Sequence, residues 1–353
     1  MARSRKRGEA VRAFIIRNVE DQAGGLVSRV MGEFAISRQA VHKHLRYLVD
    51  GKILFQGTPP GRYQLCTLGD SKKILSVAGN REEDIVWRTE VREMLGDLPE
   101  NALDLWRCGF TEMFNNVVDH SGTESAFIQV KKTAFSTKMT IWDRGVGIFR
   151  KIGVHFNFID ERHAVVELVK GRLTTDRAGH SGEGIFFSSR MFDAFSILSG
   201  GILLAHTTSD DGDDWSLATQ EDRSGTLITM ILKNDTSRLI KEIYQNFSSD
   251  GTSGLSTTVV PAHLAQYGTE KLVSRSEAKR LLTRLARFKT ALIDFGSIDS
   301  IGEAFADEVF RIFPAAHPGV EIREIRANKE VRSMIEEVRK KAEARAASPA
   351  DLF

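Results

Sequence analysis

Between residues 110 and 122 the chain reads FTEMFNNVVDHSG, a stretch spaced like a core helix yet carrying Glu112, Asn115, Asn116, Asp119 and His120. Glu112 and Asn116 are four residues apart and so share one helix face, one turn from each other; Asn115 and Asp119 repeat the spacing. Alone, such a pair also describes a solvated helix edge. Three later stretches of the chain change its meaning. WDRGVGI places Asp143 at a strand end, before Gly145 and Gly147, which allow close backbone approach to a flat ligand. GRLTTDRAGHSGEGIFFSSRMFD is polar, holds Gly179, Gly182 and Gly184, and runs into an apolar helix whose first backbone N–H groups favour phosphate. SGTLITMIL sets Gly225 and Thr226 at the start of a strand. Each element is common; four in this order are not.

The elements that must position these groups come from periodicity. REEDIVWRTEVREMLGDL and NALDLWRCGFTEMFNNVVDHS are spaced as helices, and SAFIQVKKTAFSTKMTIWDRG alternates as a β-hairpin whose second strand ends at Asp143. In this order the motifs resemble the GHKL ATPase superfamily, which includes histidine kinases, Hsp90-type chaperones, type II topoisomerase ATPase subunits and anti-sigma-factor kinases. The resemblance covers about residues 85–233 and implies a Bergerat-type α/β sandwich that binds Mg-ATP. It implies that Asn116 is the Mg²⁺ ligand and that Glu112 orients or deprotonates the attacking group. Asp143 would accept from the adenine amino group, with Gly145 and Gly147 under the base. Residues 171–184 would form a lid whose Gly182 and Gly184 donate to phosphate, and Thr226 would reach the adenine from the sheet. Phosphoryl transfer needs charge neutralisation and in-line positioning more than covalent chemistry, so one metal ligand and one positioned base suffice in principle. There is no GxxxxGK loop to offer an independent phosphate grip.

Ahead of this segment the chain is basic: residues 1–75 hold 14 Lys/Arg and 6 Asp/Glu, whereas the whole chain has a net charge of only +2. GEAVRAFIIRNVE and LVSRVMGEF are spaced as helices. ISRQAVHKHLRYLVDGK adds a third, with Ser37 at its N-cap, an apolar stripe of Ala40, Val41, Leu45, Leu48 and Val49, and Gly51 at its end. Arg38, Gln39, His42, Lys43 and Arg46 occupy the opposite face, and ILFQGTPPGRYQL reads as two strands around a Pro-Pro-Gly tip, with Arg62 beside it. Three helices and a hairpin look like a winged helix-turn-helix, whose third helix would read a major groove. A protein-docking module is the alternative.

After a polar linker, strands alternate with helices, as in a small α/β domain. ALIDFGSIDSIGEAFADEVF resembles the STAS-like domains, relatives of anti-sigma-factor antagonists. In that family a Ser or Thr at the start of the helix after the buried strand can be phosphorylated by a GHKL partner, and Ser300 is the nearest candidate here. A phosphate there would face Asp294, Asp299 and Glu303.

Two cysteines, Cys66 and Cys108, are too few for a disulfide framework or a zinc cluster, and the basic start is not followed by an apolar signal core. No apolar run is long enough to span a bilayer. These features fit a cytoplasmic protein. The expectation is an α/β chain of three domains: a winged helix-turn-helix over 1–75, a GHKL domain over 81–233 and a STAS-like domain over 255–342. Its function would be ATP-gated, DNA-binding transcription regulation, with possible homodimerisation and a protein partner met in cis or trans through the STAS-like domain. The alternative is a serine/threonine kinase of the anti-sigma-factor type acting on a STAS-like domain. A sensor histidine kinase is disfavoured because residues 76–111 contain no histidine. A chaperone or topoisomerase relative would need a large transducer segment.

Overall fold

The computed structural model describes residues 2–21, 25–57, 62–77, 82–173, 182–209, 212–248, 255–266 and 271–346. Three helices come first: α1 (Ala2–Asn18), α2 (Leu26–Phe34) and α3 (Arg38–Asp50). The Ser37 hydroxyl caps α3 by accepting from the Ala40 amide at 3.3 Å. Val41, Leu45 and Leu48, spaced one and two turns apart, are buried against Val11, Ile15, Val30, Leu54 and Tyr63. Strands β1 (Leu54–Gln56) and β2 (Tyr63–Leu65) pair antiparallel and close this cluster. The tip between them, 58–61, lies outside the described residues.

A seven-stranded antiparallel sheet dominates the centre, in the order β3-β4-β5-β9-β6-β7-β8. Its strands are β3 (Gly69–Ser76), β4 (Ser125–Lys132), β5 (Ser136–Asp143), β6 (Ala194–Ser199), β7 (Ile202–Ser209), β8 (Gly212–Thr219) and β9 (Thr226–Lys233). All but the last residue of β3 falls within residues 1–75, yet it pairs along its full length with β4 and belongs to this sheet. Its sequence, GDSKKILS, is too polar to announce that allegiance. It is an edge strand, and its lysines keep that edge from pairing further.

Short helices α4 (Glu83–Val86) and α5 (Arg92–Leu95) flank a π-turn at Trp87–Val91 and lead to α6 (Glu100–His120). α6 buries Leu105, Trp106, Phe110, Met113, Phe114 and Val117, and full burial of each large side chain contributes about 1.5–3 kcal/mol. The alternate residues Ala126, Ile128 and Val130 of β4 and Met139 and Ile141 of β5 are buried in the same core. α7 (Ile148–Phe156), α8 (Glu161–Lys170) and α9 (Gly184–Met191) follow β5, and α10 (Ile240–Gln245) follows β9.

The C-terminal unit is a parallel sheet, β10-β11-β12: β10 (Thr257–Pro261), β11 (Thr290–Asp294) and β12 (Glu321–Ile325). Parallel strands need crossovers, supplied by α11 (Arg275–Leu282) and by α12 (Glu303–Asp307) and α13 (Phe313–Ala316), which flank a second π-turn. α14 (Lys329–Ala346) closes the unit. Ser274 and Glu277 form a reciprocal capping box at the start of α11. No described helix is long and apolar enough to cross a membrane.

Candidate functional site

β5 delivers Asp143 to the mouth of the central sheet and buries it to 4 % exposure. Its Oδ1 accepts from the Gly145 amide at 2.8 Å and from the Thr226 amide at 3.3 Å. Burial pushes the carboxyl above the ordinary aspartate range, and these two amides oppose the shift. Both hydrogen bonds use one oxygen. The residue therefore presents a buried acceptor to a cavity lined by Asn116, Val117, His120, Ser121, Asp143, Gly147, Ile148, Thr226 and Ile228. The cavity itself is small, about 20 Å³, below the usual size of a small-molecule site.

α6, β5, the start of α7 and β9 each supply wall residues, so segments from 116 to 228 converge on one space. The Thr226 hydroxyl accepts from the Ile148 amide at 3.1 Å, tying β9 to the first turn of α7. Gly147 precedes α7 at φ 82°, a left-handed conformation that favours glycine, and a Cβ there would lie 2.7 Å from the Ser199 hydroxyl. Gly145 has a different reason. Its missing Cβ would sit 2.0 Å from the Ser121 carbonyl oxygen, so this glycine lets the loop seat on the end of α6 and does not line the cavity.

The expected residues thus divide. Asn116, Asp143, Gly147 and Thr226 share the cavity; Glu112, Gly145, Gly182 and Gly184 do not line it. Glu112 lies one turn from Asn116 and packs against the start of α9, where a Cβ on Gly184 would be 2.1 Å from its Oε2. Gly182, at φ 72°, packs on Leu173, whose amide donates to the Gly182 carbonyl at 3.1 Å. Residues 174–181 of the expected lid, Gly179 included, lie outside the described residues.

His120 and Ser121 also border a wider, open cleft of about 720 Å³, lined further by Arg150, Lys151 and His155. Lys151 Nζ donates to the His120 carbonyl at 2.9 Å, neutralising the negative end of α6, and burial pulls its pKa down. The sequence does not single out this cationic border. Lys151 sits in an amphipathic helix, where a lysine ordinarily faces solvent, and its spacing carries no signal of the cleft.

Arg38, Gln39, His42, Lys43 and Arg46 are all exposed on α3, opposite the buried Val41, Leu45 and Leu48, and Arg62 is exposed where β2 begins. Ser300 lies between β11 and α12; the residue at the N-cap of α12 is Gly302, so Ser300 neither caps the helix nor lines the cavity. Asp294, expected to face it, instead binds Arg326.

One buried ionic group escapes a reading of the sequence. Lys170, 1 % exposed at the end of α8, donates to Glu167 and to the Thr283 carbonyl at 2.9 Å, while Arg284 lies 3.4 Å from the same Glu167 carboxylate. Burial drives the Lys170 pKa down and that of Glu167 up, and their mutual attraction opposes both shifts. A lysine closing a helix looks in sequence like a solvated C-terminal cation. Here it joins the central unit to the C-terminal one, together with Arg172 donating to the Arg287 carbonyl at 2.6 Å.

Residues 277–332 match the family described as a STAS-like domain of unknown function (DUF4325), so the C-terminal unit is STAS-like. No curated protein matches the chain. Among solved structures, the crystal structure of Pseudomonas aeruginosa HmgR aligns at 13% identity over 70% of this chain and 100% of that one. Its TM-score is 0.18, a likeness that carries no argument.

Proposed function

We propose that the central unit is a GHKL-type ATP-binding domain and that the chain is an ATP-gated regulator. One observation carries the reading: the buried carboxylate of Asp143 and the side chains of Asn116 and Thr226 line a single cavity although they come from distant parts of the chain. The donor set suits the ligand. A buried anionic acceptor suits the adenine amino group, the Asn116 amide can offer its oxygen to Mg²⁺, and the cleft bordered by Arg150 and Lys151 suits anionic phosphates. Bound Mg-ATP would supply the transferable phosphoryl group; the chain's part is to hold the base at Asp143 and to keep Glu112 beside Asn116 for the attacking group.

The first three helices and their hairpin are read as a winged helix-turn-helix that binds DNA through α3. The exposed cationic face opposite a fully buried stripe supports this. Replacing Arg38, Lys43 and Arg46 with Ala should weaken DNA binding and flatten its dependence on salt. Unchanged binding would point to a protein-docking surface.

The deciding experiment is calorimetric titration of the full chain with ATP and Mg²⁺, followed by incubation with γ-labelled ATP. Wild type should bind, and Glu112→Ala should bind equally while losing any turnover. Failure of wild type to bind ATP at millimolar concentration would remove the GHKL reading. Label retained on protein and lost in Ser300→Ala would favour the kinase alternative over an ATPase-gated regulator.

A further inference from the structure

A second cavity lies away from the first, at the C-terminal end of α9. It is an open cavity of about 260 Å³, lined by Arg190, Thr208, Asp213, Arg238, Leu239, Glu242, Ile243, Asn246 and Phe247. Arg190 is 6 % exposed. Its Nη1 donates to the Phe186 carbonyl at 2.9 Å and to the Ser189 hydroxyl at 3.3 Å, but its Nε and Nη2 have no hydrogen-bond partner among the described residues. Those two atoms form one edge of the guanidinium fork, the edge that pairs bidentately with a carboxylate. The plane is held over the Phe186 ring, 3.7 Å from its centroid, with Phe247 at 5.1 Å. Leaving buried donors unmet costs about 1–3 kcal/mol each, more for a charged group, and native interiors rarely tolerate it without a partner.

The acid nearest to Arg190 does not fill the role. Asp213 Oδ2 stays 4.0 Å from Nε, beyond hydrogen-bond reach, and is 3.4 Å from His206 Nε2; its Oδ1 accepts from the Thr208 hydroxyl at 3.3 Å. The other cation of the wall, Arg238, is within 3.1 Å of Asp193. Burial pulls the Arg190 guanidinium down to about 10, with Asp213 opposing the shift, so it remains a cation at neutral pH, paired with Asp213 at 4.0 Å but hydrogen-bonded to no carboxylate among the described residues.

We propose that this cavity is a ligand site for a small amino carboxylate, whose carboxylate is held by the Nε/Nη2 edge of Arg190 and whose ammonium faces Asp213 and Glu242. The charge inventory decides the class. The wall carries both signs, Arg190 and Arg238 with Asp213 and Glu242, so a phosphate dianion would meet two carboxylates, whereas a zwitterion meets its complement of both signs. The site lies at the opposite end of α9 from Gly184 and Glu112, and its assignment does not depend on the nucleotide reading.

The test is calorimetric titration of the full chain, without nucleotide, with the standard α-amino acids one at a time. Acetate, inorganic phosphate and ethylamine serve as single-sign controls. At least one amino acid should bind more tightly than every control. Arg190→Lys keeps the charge but loses the fork and should weaken that binding tenfold or more. Should that buried substitution unfold the protein, Glu242→Gln on the exposed rim keeps the question open to measurement: it should weaken amino-acid binding and leave acetate unaffected. Binding by no amino acid, equal or better binding by acetate or phosphate, or undiminished binding by Glu242→Gln would overturn the assignment.

Discussion

Asp143 and Asp294 are near twins in their local structure. Each ends a buried strand, each is 4 % exposed, and each turns its Oδ1 back to the amide two residues on, Gly145 at 2.8 Å and Gly296 at 3.0 Å. They differ in what the fold brings to the rest of the carboxylate. Arg326 reaches Asp294 with Nε at 2.8 Å from Oδ1 and with Nη2 on Oδ2, closing it as a bidentate ion pair. Asp143 receives a second backbone amide, with no cation against it among the described residues, and looks into a cavity. The same aspartate turn therefore serves as a structural tie in one unit and as an open acceptor in the other, and only the partner tells them apart.

That contrast can be broken from either side. Arg326→Met should have the largest effect on stability, about 3 kcal/mol, because it strands a buried carboxylate; it falls at the low end of such losses since Arg326 itself is partly exposed. Urea unfolding monitored by circular dichroism reads it, and a loss below about 1 kcal/mol would mean that Asp294 is as self-sufficient as Asp143. Asp143→Asn should do the reverse. Its retained oxygen still accepts from Gly145 and Thr226, so stability should stay within about 1 kcal/mol, while ATP binding weakens by about a hundredfold with the loss of a charged acceptor. Wild-type ATP affinity in this variant would sink the role given to Asp143.

The glycines sharpen the comparison further. A Cβ on Gly145 meets the Ser121 backbone at 2.0 Å, which cannot move away, whereas on Gly296 it meets the end of the flexible Arg326 side chain at 2.7 Å, which can shift while keeping part of its ion pair with Asp294. Gly145→Ala should therefore cost about 2–3 kcal/mol and Gly296→Ala about 1 kcal/mol. Equal thermal shifts would show that the helix end yields as readily as the side chain.

The smallest expected effect is on pH dependence. Because burial raises the Asp143 pKa, the folded protein takes up this proton at a higher pH than the unfolded chain does. The ionised carboxylate opposes folding at neutral pH, and that penalty is relieved as pH falls through the raised folded-state pKa. The stability of Asp143→Asn relative to wild type should accordingly be highest at neutral pH and decline towards acid. A difference independent of pH would mean the carboxylate is solvated as in the unfolded chain.

Much of this arrangement could be read along the chain. The alternation in SAFIQVKK and STKMTIWD gives β4 and β5, the 3.6-residue spacing gives α3 and α6, and Ser37 marks its own helix start through a contact three residues away. The common face of Glu112 and Asn116 is likewise a matter of helix geometry. These are local consequences, fixed by backbone periodicity and by side chains reaching their own neighbours.

What escaped the sequence is long-range. Nothing in GDSKKILS announces pairing with β4, and nothing in ERHAVVELVK separates the buried Lys170 from a solvated one. Arg190 looks like an ordinary cation closing a helix until its burial among Phe186, Phe247 and Trp215 is seen. The sequence by itself determined where α3, α6, β4 and β5 fall, that Ser37 caps α3, and that Asp143 ends a strand before a pair of glycines. Tertiary structure alone decided that Arg326 closes Asp294 and that a cavity opens before Asp143, because the environment of a buried charge is set by groups far away in the chain that only folding brings within a few ångströms.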